Sequence, residues 1–352
     1  MDNINFETQI SKDLKNKFDS MLSESESIVI TSHFSPDDDS IASVLSVYYY
    51  LANFLKIELS KLKIVYTGEK NEKWCSLTNF DKINFVDDLS NHVKNTDTLV
   101  MLDGGAYKRF SRKAEMEMFS GKTICLDHHP IPGNQFDLQL VAKQFTSTSE
   151  IIYRFLYETE KITKEICEIL LLGIVGDTGS FRFINNSNAG VLSIAEKLIT
   201  NGEINVDSFI GKFEKININS YQILIELMKN SKIKKIKNWP EFVCSYIDMN
   251  KCLKLKYTDN DVSEGSSYFT RYLRAVNGVE WGMVVTPRFH DMTHSVSFRS
   301  SPGSVVTREI GEKMGIGGGH DRASGGKLIT KDTKIAIKIV FDWMKKNKPS
   351  FS

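Results

Sequence analysis

The chain of 352 residues contains few cysteines and few histidines, and it has no long apolar run. None of its five cysteines forms a CxxC pair, which argues against a disulfide framework and against a cysteine-based zinc site. The longest apolar stretch, residues 169–175, is far too short to span a bilayer. The polar N-terminus does not resemble a signal peptide, so we expect a cytoplasmic protein without a membrane segment.

Neither sign of charge is in excess. The chain has 45 basic and 44 acidic residues, which gives a net charge of +1. This balance argues against a globally basic nucleic-acid-binding protein, so any recognition of phosphate must come from local clusters. The length favours two domains.

Apolar segments with the length of strands alternate with helix-like segments in the first half of the chain. The predicted strands are 27–33, 63–67, 98–104 and 122–129. The predicted helices are 7–24, 40–56, 148–160, 163–176, 188–201 and 218–230. Continuous apolar strands separated by helices predict an α/β domain whose parallel sheet is covered on both faces.

The second half has a different texture. It contains hairpin-like strands at 242–248, 281–288 and 293–301, then a helix, a glycine-rich loop at 314–326 and a final helix near 332–346. A lysine-rich stretch before it ends at Pro240 and reads as a linker, although its second half also suits an edge strand. We therefore predict domains over residues 1–230 and 241–352, joined by a linker over 231–240.

Three of the seven histidines come directly after predicted strands and beside aspartates: His33, His128 and His129. In parallel sheets, ligands bind beyond the carboxyl ends of the strands. A single histidine in such a place is usually structural. Three together point to a metal site.

The first motif of this kind is SHFSPDDDSIAS, at residues 32–43. It places His33, Asp37 and Asp39 in one short segment at the start of a predicted helix. An alternative is that an aspartate only caps the helix, since its carboxylate accepts free backbone N–H groups. One aspartate is enough for that, whereas three adjacent carboxylates repel each other and need a cation.

Three further motifs each contain an aspartate or histidine that has a plain structural alternative. Asp103 in MLDGG suits a turn, and Asp177 in GIVGDTGSFRF suits a solvated loop. In CLDHHP, at residues 125–130, adjacent histidines are expected to face different ways, one towards a metal and the other towards substrate. Asp127 and His129 are therefore candidates for supporting a ligand or contacting substrate.

Together the motifs predict a set of six metal ligands. They are His33, Asp37, Asp39, Asp103, His128 and Asp177. Mixed histidine and carboxylate ligands favour manganese, with magnesium, cobalt or zinc as alternatives. Six ligands are too many for one catalytic ion with open positions, but they suit a pair of ions about 3.5–4 Å apart.

Arginine is scarce except in one window. The chain has ten arginines against thirty-five lysines, yet residues 271–322 contain six arginines and one lysine. The planar guanidinium matches phosphate and stacks on bases. The same window runs into MGIGGGHDRASGG, at residues 314–326, where glycines free the backbone to approach an anion. A chance cluster of arginines on strands and a glycine-rich hairpin are the structural alternatives.

The four motifs, in this order, resemble the DHH phosphoesterase superfamily, whose name matches the triplet Asp127-His128-His129. GGGH at 317–320 is similar to the hallmark of the DHHA1 C-terminal domain. TSTSEIIY at 146–153, DTGSFRF at 177–183 and VSFRSS at 296–301 resemble the subgroup of nano-RNases and pAp phosphatases. The resemblance implies an N-terminal doubly wound α/β DHH domain and a smaller C-terminal α/β DHHA1 domain that binds substrate.

The resemblance also implies roles for single residues. His33, Asp37 and Asp103 hold one ion, and Asp39, Asp103, His128 and Asp177 hold the other, so Asp103 is shared. His129 contacts the substrate phosphate and, with Asp103, is expected to be catalytic. The substrate-binding residues of the second domain are Arg299, Gly317, Gly318, Gly319 and His320. Asp38, Ala42 and Gly104 depart from the usual family residues, but none of these changes removes a ligand.

The function that we infer is metal-dependent hydrolysis of short oligoribonucleotides or linear dinucleotides to mononucleotides, with pAp as a second substrate. Two divalent ions are expected, Mn²⁺ first, with Mg²⁺ or Co²⁺ as alternatives. Long nucleic acid is not expected as a substrate, and a homodimer is an expectation from the family. One rival is a cyclic dinucleotide phosphodiesterase. Another is a non-catalytic nucleotide sensor, against which the intact ligand set argues.

Overall fold

The computed structural model describes residues 9–34, 36–105, 107–110, 119–131, 133–158 and 160–351. It consists of two compact units, one up to Glu214 and one from Lys215. Residues 7 and 8 of the first predicted helix lie outside the described residues. No helix within the described ranges is long and apolar enough to cross a membrane.

The first unit is built on a six-stranded sheet in which every neighbouring pair is parallel. Its strands are β1 (Ile28–Ser32), β2 (Leu62–Thr67), β3 (Ile83–Val86), β4 (Thr98–Leu102), β5 (Lys122–Asp127) and β6 (Leu138–Val141). Their order in the sheet is β3-β2-β1-β4-β5-β6. The order reverses between β1 and β4, which is the topological switch point of a doubly wound sheet. The predicted parallel α/β fold is confirmed.

Helices and turns cover both faces of this sheet. The helices are α1 (Gln9–Ser23), α2 (Asp38–Asn53), α3 (Ser90–Val93), α4 (Thr148–Ile152), α5 (Lys164–Asp177), α6 (Val191–Gly202) and α7 (Val206–Phe213). The helix predicted at 148–160 consists of α4 followed by a π-helical turn, Tyr153–Tyr157. One apolar core lies under α2 and α5 and includes Leu45 and Leu170. A second core, on the other face, includes Leu89 and Phe110.

The second unit contains a six-stranded sheet of mixed direction. Its strands are β7 (Lys232–Lys234), β8 (Phe242–Tyr246), β9 (Trp281–Arg288), β10 (Thr293–Ser300), β11 (Gly317–His320) and β12 (Ala323–Leu328). β9 and β10 form the expected antiparallel hairpin. β8 forms an antiparallel hairpin with β7, which agrees with the hairpin-like interpretation of residues 242–248, and its other neighbour, β9, is parallel to it.

Residues 317–328 form the glycine-rich hairpin that the sequence left open as an alternative to a loop. The glycines form β11 and β12, an antiparallel pair in which Gly317 lies opposite Gly326. A Cβ atom on Gly317 would lie 2.2 Å from the carbonyl oxygen of Gly325. The strands approach so closely that a side chain would not fit there, which explains why glycine occupies a strand.

Helix α8 (Ile218–Asn230) belongs to the second unit by its packing. Its buried Ile223 and Leu227 share an apolar core with Phe269. The sequence-based limits instead put this helix in the first domain, and they put β7 in the linker over 231–240. The exact domain limits stay a prediction. The remaining helices are α9 (Met249–Lys254), α10 (Asp259–Thr270), α11 (Thr307–Met314) and α12 (Thr333–Lys346).

Candidate metal centre

Three of the predicted site residues lie at the carboxyl edge of the first sheet. His33 follows β1, Asp103 follows β4 and His128 follows β5. Because β4 lies between β1 and β5, Asp103 lies between the two histidines. Its Oδ2 atom is 3.5 Å from Nε2 of His33, and its Oδ1 atom is 3.5 Å from Nε2 of His128.

Asp37 joins this group from the start of α2. Its Oδ1 atom accepts a hydrogen bond from the backbone N–H of Ser40 at 2.9 Å, so the residue caps the helix. Its Oδ2 atom lies 3.3 Å from Nε2 of His33. The position of Asp37 therefore fits both a helix cap and a metal ligand.

Asp39 and Asp177 approach from two packed helices. Asp39 lies in the first turn of α2, and its carboxylate accepts hydrogen bonds from the backbone N–H groups of Thr148 and Ser149 at 2.7 and 2.9 Å. Asp177 ends α5, with its Oδ2 atom 3.1 Å from Nε2 of His128. Gly173 permits this approach, since a Cβ atom there would lie 2.6 Å from Oδ1 of Asp39.

The buried Asp103 is held by its backbone and by a threonine. Its φ angle is 53°, in the left-handed region, which aspartate tolerates better than most residues. The hydroxyl group of Thr148 donates a hydrogen bond to Oδ1 of Asp103 at 3.0 Å. The departure at Gly104 has a packing reason, because a Cβ atom there would lie 2.0 Å from the ring of Phe110.

Asp127 holds the second histidine of the triplet. Its Oδ1 atom accepts a hydrogen bond from the backbone N–H of His129 at 2.7 Å and lies 2.9 Å from Nδ1 of the same residue. Its Oδ2 atom accepts from the backbone N–H of Gly105. Nδ1 of His129 is also 3.4 Å from Oδ1 of Asp103. Both adjacent histidines thus lie near the same carboxylate, through different nitrogen atoms and with their ring planes 66° apart. Which of them faces a metal and which faces substrate stays a prediction.

The ligand-type atoms form three overlapping groups within the described ranges, each with its atoms within 4.8 Å of one another. The first contains His33, Asp37 and Asp103, the second contains Asp39, His128 and Asp177, and the third contains Asp103, His128 and His129. The first group is the same as one expected ligand set, and the second contains three of the four residues expected in the other set, without Asp103. All six expected ligands therefore lie in one cluster, and their assignment as ligands remains a proposal.

The buried charged groups of this cluster shift one another's pKa values strongly. Burial alone would lower the pKa of His128, but Asp177 and Asp103 raise it to about 10. Burial likewise opposes the charged form of His129, yet hydrogen bonds to Asp103 and Asp127 raise its pKa to about 9. Burial, together with the charges of Asp103 and Asp177, raises the pKa of Asp39 well above its usual range.

These features fit a divalent cation. Nε2 of His128 is buried and makes no well-directed hydrogen bond to any described residue, although it lies 3.1 Å from a carboxylate oxygen of Asp177. Repulsion between Asp39, Asp103 and Asp177 would be relieved by a positive charge placed among them. Histidine nitrogen with several carboxylate oxygens is a ligand set used for such ions.

Asp38 occupies the position where the family usually has glycine, and its carboxylate makes contacts outside the metal cluster. Its Oδ1 atom accepts a hydrogen bond from Nε1 of Trp74 at 2.7 Å and lies 2.8 Å from Nζ of Lys73. Lys73 therefore compensates the extra carboxylate. Ala42 is fully buried in the core of the first unit.

The substrate-binding residues expected from the sequence lie in the second unit. Arg299 donates a hydrogen bond to the carbonyl oxygen of Phe298, and Arg274 donates one to the carbonyl oxygen of Ser300. Burial and the neighbouring charge of Arg274 lower the pKa of Arg299 to about 10. Gly317, Gly318, Gly319 and His320 form β11.

Sequence reasoning missed the role of Thr148. The segment TSTSEIIY was noticed only as a resemblance. The feature that could have revealed this role is the spacing of Ser147 and Glu150, which is typical of a helix start. The side chain of Ser147 caps α4 by accepting a hydrogen bond from the backbone N–H of Glu150. That cap fixes the start of α4, where two N–H groups face Asp39 and one hydroxyl group faces Asp103.

Comparison with known families gives this arrangement its context. The model of the DHH family, N-terminal domain, matches residues 27–174, which include five of the six candidate ligands. Residues 27–174 therefore belong to the DHH phosphoesterase superfamily. Enzymes of this superfamily hydrolyse phosphoester bonds, and the chain is a hydrolase of this class. Its similarity to the subgroup of nano-RNases and pAp phosphatases comes from two curated relatives.

Two curated relatives have similar sequences. One is the probable bifunctional oligoribonuclease and PAP phosphatase NrnA of Streptococcus mutans, 25% identical over 308 residues, which cover 85% of this chain and 89% of the relative. The other is the bifunctional oligoribonuclease and PAP phosphatase NrnA of Bacillus subtilis, 26% identical over 49% of this chain and 53% of the relative.

A solved structure has a similar fold. It is an exopolyphosphatase-related protein from Bacteroides fragilis, with a TM-score of 0.79 and 22% sequence identity. The likeness covers 96% of this chain and 98% of that one. Both units of the chain therefore have counterparts in a solved structure.

Proposed function

We propose that this DHH enzyme hydrolyses short oligoribonucleotides or linear dinucleotides to mononucleotides, and also pAp to AMP. The observation that carries the proposal is the convergence of histidines and aspartates around Asp103 at the switch point of the first sheet. The names of the two NrnA relatives support the same substrates. Short RNA or a nucleotide is thus the expected partner, and long nucleic acid is not.

Two divalent ions would occupy the centre. His33, Asp37 and Asp103 would hold one of them, and Asp39, Asp103, His128 and Asp177 would hold the other. The mixture of nitrogen and oxygen ligands favours Mn²⁺, with Mg²⁺ or Co²⁺ as alternatives. When bound, such ions supply Lewis acidity and activate water for attack on phosphorus.

The residues of the chain then orient the ligands and the substrate. Thr148 fixes the Asp103 carboxylate through its hydroxyl group, and Asp127 fixes the ring of His129 through Nδ1. We assign to His129 the role of donating a hydrogen bond to a phosphoryl oxygen as charge develops there. Asp103 is the residue on which both ion sites depend.

The second unit would bind substrate as a DHHA1 domain. Arg299 and Arg274 are anchored on the carbonyl oxygens of residues 298 and 300, so two guanidinium groups lie along one short segment. Guanidinium groups bind phosphate in a planar, bidentate way. We assign phosphate binding to Arg299 and to the strand Gly317–His320. A cytoplasmic location and a homodimer remain part of this proposal.

A panel of substrates tests the proposal. With Mn²⁺ we expect turnover of di- to pentaribonucleotides and of pAp, and little turnover of pyrophosphate, which offers no nucleoside. Preferred hydrolysis of a cyclic dinucleotide would favour the rival activity. Tight binding of one nucleotide without turnover of any would instead identify a sensor.

A further inference from the structure

One buried hydroxyl group at the carboxyl edge of the first sheet has no well-directed hydrogen bond. It belongs to Tyr66, near the end of β2, which is fully buried and whose hydroxyl group makes no such bond to any described residue. A buried polar group without a partner costs free energy, so most buried hydroxyl groups in proteins find one. Phenylalanine would fill the same space without this cost. The hydroxyl group of Tyr66 therefore calls for an explanation other than packing.

The alternation of side chains along β2 fixes the direction of the Tyr66 ring. Ile64 and Tyr66 belong to the core that lies under α2, whereas Val65 belongs to the core on the other face of the sheet. Helix α2 packs on both β1 and β2, which are parallel neighbours. The ring of Tyr66 therefore lies on the α2 side, at the edge of the sheet where β1 ends and His33 follows.

The first turn of α2 lies next to this ring. Burial raises the pKa of the Tyr66 phenol well above its usual range, and the charge of Asp37 raises it further. The hydroxyl groups of Ser40 and Ser32 act on the phenol oxygen in the opposite direction and lower its pKa, while the charge of Asp103 raises it. The phenol oxygen therefore lies close to the segment that carries Asp37, one of the proposed metal ligands.

Ser40 is the residue through which this segment holds Asp37. Its Oγ atom accepts a hydrogen bond from the backbone N–H of Asp37 at 2.9 Å and donates one to the carbonyl oxygen of Asp37 at 3.0 Å. Its backbone N–H donates to Oδ1 of the same aspartate at 2.9 Å, and Oδ2 of that carboxylate lies 3.3 Å from Nε2 of His33. A hydroxyl oxygen has two lone pairs, so these contacts leave one lone pair of Ser40 Oγ for a further donor.

We infer that Tyr66 is a positioning residue of the metal centre, which steadies Asp37 by donating its hydroxyl hydrogen to Oγ of Ser40. The chain of contacts then runs from the phenol through the serine to the carboxylate that lies beside His33. Groups behind a metal ligand fix its orientation and influence metal affinity. The inference rests on the proposed metal centre, and it gives the buried phenol a role that packing alone does not.

The test uses the full chain, freed of metal and titrated with Mn²⁺ in a calorimeter. Tyr66→Phe removes the hydroxyl group and keeps the ring. Tyr157→Phe is the matched control, because the buried hydroxyl group of Tyr157 also contacts α2, where it donates to the carbonyl oxygen of Ser46 at 2.6 Å, outside the metal cluster. Ser40→Ala, alone and combined with Tyr66→Phe, completes a double-mutant cycle. Thermal unfolding checks that each variant is folded.

We expect Tyr66→Phe to bind Mn²⁺ about 2- to 10-fold more weakly than the wild type, the range for loss of one uncharged hydrogen bond. Tyr157→Phe should bind Mn²⁺ like the wild type. In the Ser40→Ala background, Tyr66→Phe should have little further effect, since the group through which it acts is gone. Unchanged affinity in Tyr66→Phe would overturn the inference, and so would an equal loss in both backgrounds or in the control.

The electron paramagnetic resonance spectrum of bound Mn²⁺ separates positioning of a ligand from general support of the fold, because its fine structure reports how the ligands are arranged. The spectrum should change in Tyr66→Phe and stay like that of the wild type in Tyr157→Phe. Weaker affinity of Tyr66→Phe with an unchanged spectrum would count against the inference, since Asp37 would then be held as before.

The same titrations separate this inference from the proposed activity. If Tyr66→Phe shows the expected effects on Mn²⁺ binding while the wild type cleaves no phosphoester, the role of Tyr66 stands and the proposed activity fails. If the wild type cleaves its substrates and Tyr66→Phe binds Mn²⁺ as the wild type does, the activity stands and the role of Tyr66 is wrong. Absence of Mn²⁺ binding by the wild type would overturn both.

Discussion

Thr148 offers a sharp test of how the centre is supported, because its hydroxyl group touches Asp103 while its backbone N–H touches Asp39. Thr148→Val removes only the first of these contacts. Both Thr148 and Asp103 are buried, so water is not expected to replace the lost hydrogen bond. The Asp103 carboxylate would then keep its charge but lose a group that fixes its orientation.

The size of the effect follows from the type of hydrogen bond. A hydrogen bond to a charged group contributes about 1.5–3 kcal/mol, which is roughly a factor of 10 to 100 in an equilibrium constant. Groups that orient metal ligands influence metal affinity over about the same range. We therefore expect Thr148→Val to bind Mn²⁺ about 10- to 100-fold more weakly than the wild type.

The same segment supplies a matched control. The hydroxyl group of Thr146 donates a hydrogen bond to Oε2 of Glu150 at 2.8 Å, and its backbone N–H donates to the same atom at 2.8 Å. Thr146→Val thus removes an equivalent contact to a carboxylate outside the metal cluster. Calorimetric titration of metal-free protein with Mn²⁺ should show affinity close to wild type for this variant.

Two outcomes would refute this reasoning. Equal losses of Mn²⁺ affinity in both variants would mean that any damage to α4 disturbs the centre. Unchanged affinity in Thr148→Val would mean that Asp103 is not a ligand or that Thr148 does not orient it. Thermal unfolding of the metal-free variants checks that each remains folded during the titration.

Three further predictions concern packing and pH. Gly104→Thr should lower the free energy of unfolding by about 1–3 kcal/mol through its clash with Phe110, and the double variant with Phe110→Ala should lose less stability than the sum of the two single losses. Mn²⁺ affinity should rise between pH 6 and pH 8, because Asp177 and Asp103 raise the pKa of the proposed ligand His128 to about 10 and a histidine must lose its proton to bind metal. Burial lowers the pKa of His294 in the folded protein below the value of about 6.5 expected in the unfolded chain. The contribution of this residue to stability should therefore be present above about pH 6.5 and be lost as the pH falls below that value.

Each of the three has a direct measurement. Chemical denaturation compares Gly104→Thr with the double variant, and equal stability of Gly104→Thr and wild type would contradict the packing argument. Calorimetry at several pH values follows Mn²⁺ affinity, and a flat profile would contradict the proton competition. For His294, the difference in stability between wild type and His294→Gln in EDTA should shrink as pH falls, whereas a constant difference would contradict the linkage.

His294 illustrates why that last prediction has a defined sign. The residue is fully buried in the second unit, with Nδ1 placed 2.9 Å from the carbonyl oxygen of Thr330 and Nε2 placed 2.9 Å from the hydroxyl group of Thr333. A neutral ring satisfies both contacts, donating at Nδ1 and accepting at Nε2. A second proton would remove the acceptor at Nε2 and place a positive charge in a buried site. Protonation therefore favours the unfolded chain.

The metal cluster could be predicted from sequence because its chemistry depends on rare residues at strand ends. His33, Asp103 and His128 follow strands that are buried along almost their whole length, so both the strands and the ligands stand out. Because these strands pair in parallel, their carboxyl ends lie at the same edge of the sheet, and the ligands come together there. The two edge strands were missed, because β3 and β6 are short and half exposed and lack a continuous apolar pattern.

Contacts between distant segments were harder to predict. The glycines of β11 and β12 suggested a loop, and only the close approach of the two strands explains them. The role of Thr148 depends on where α4 begins relative to Asp103, forty-five residues earlier. Helix α8 was assigned to the first domain because its amphipathic pattern does not show which core it joins.

The central claim is that Asp103 is the shared residue of a metal centre that hydrolyses phosphoesters. The most direct measurement is release of mononucleotide from a labelled diribonucleotide by wild type and Asp103→Ala, with and without Mn²⁺. The account predicts turnover only in the wild type with Mn²⁺, while circular dichroism shows that the variant is folded. Near-normal activity of Asp103→Ala with Mn²⁺ would contradict the account.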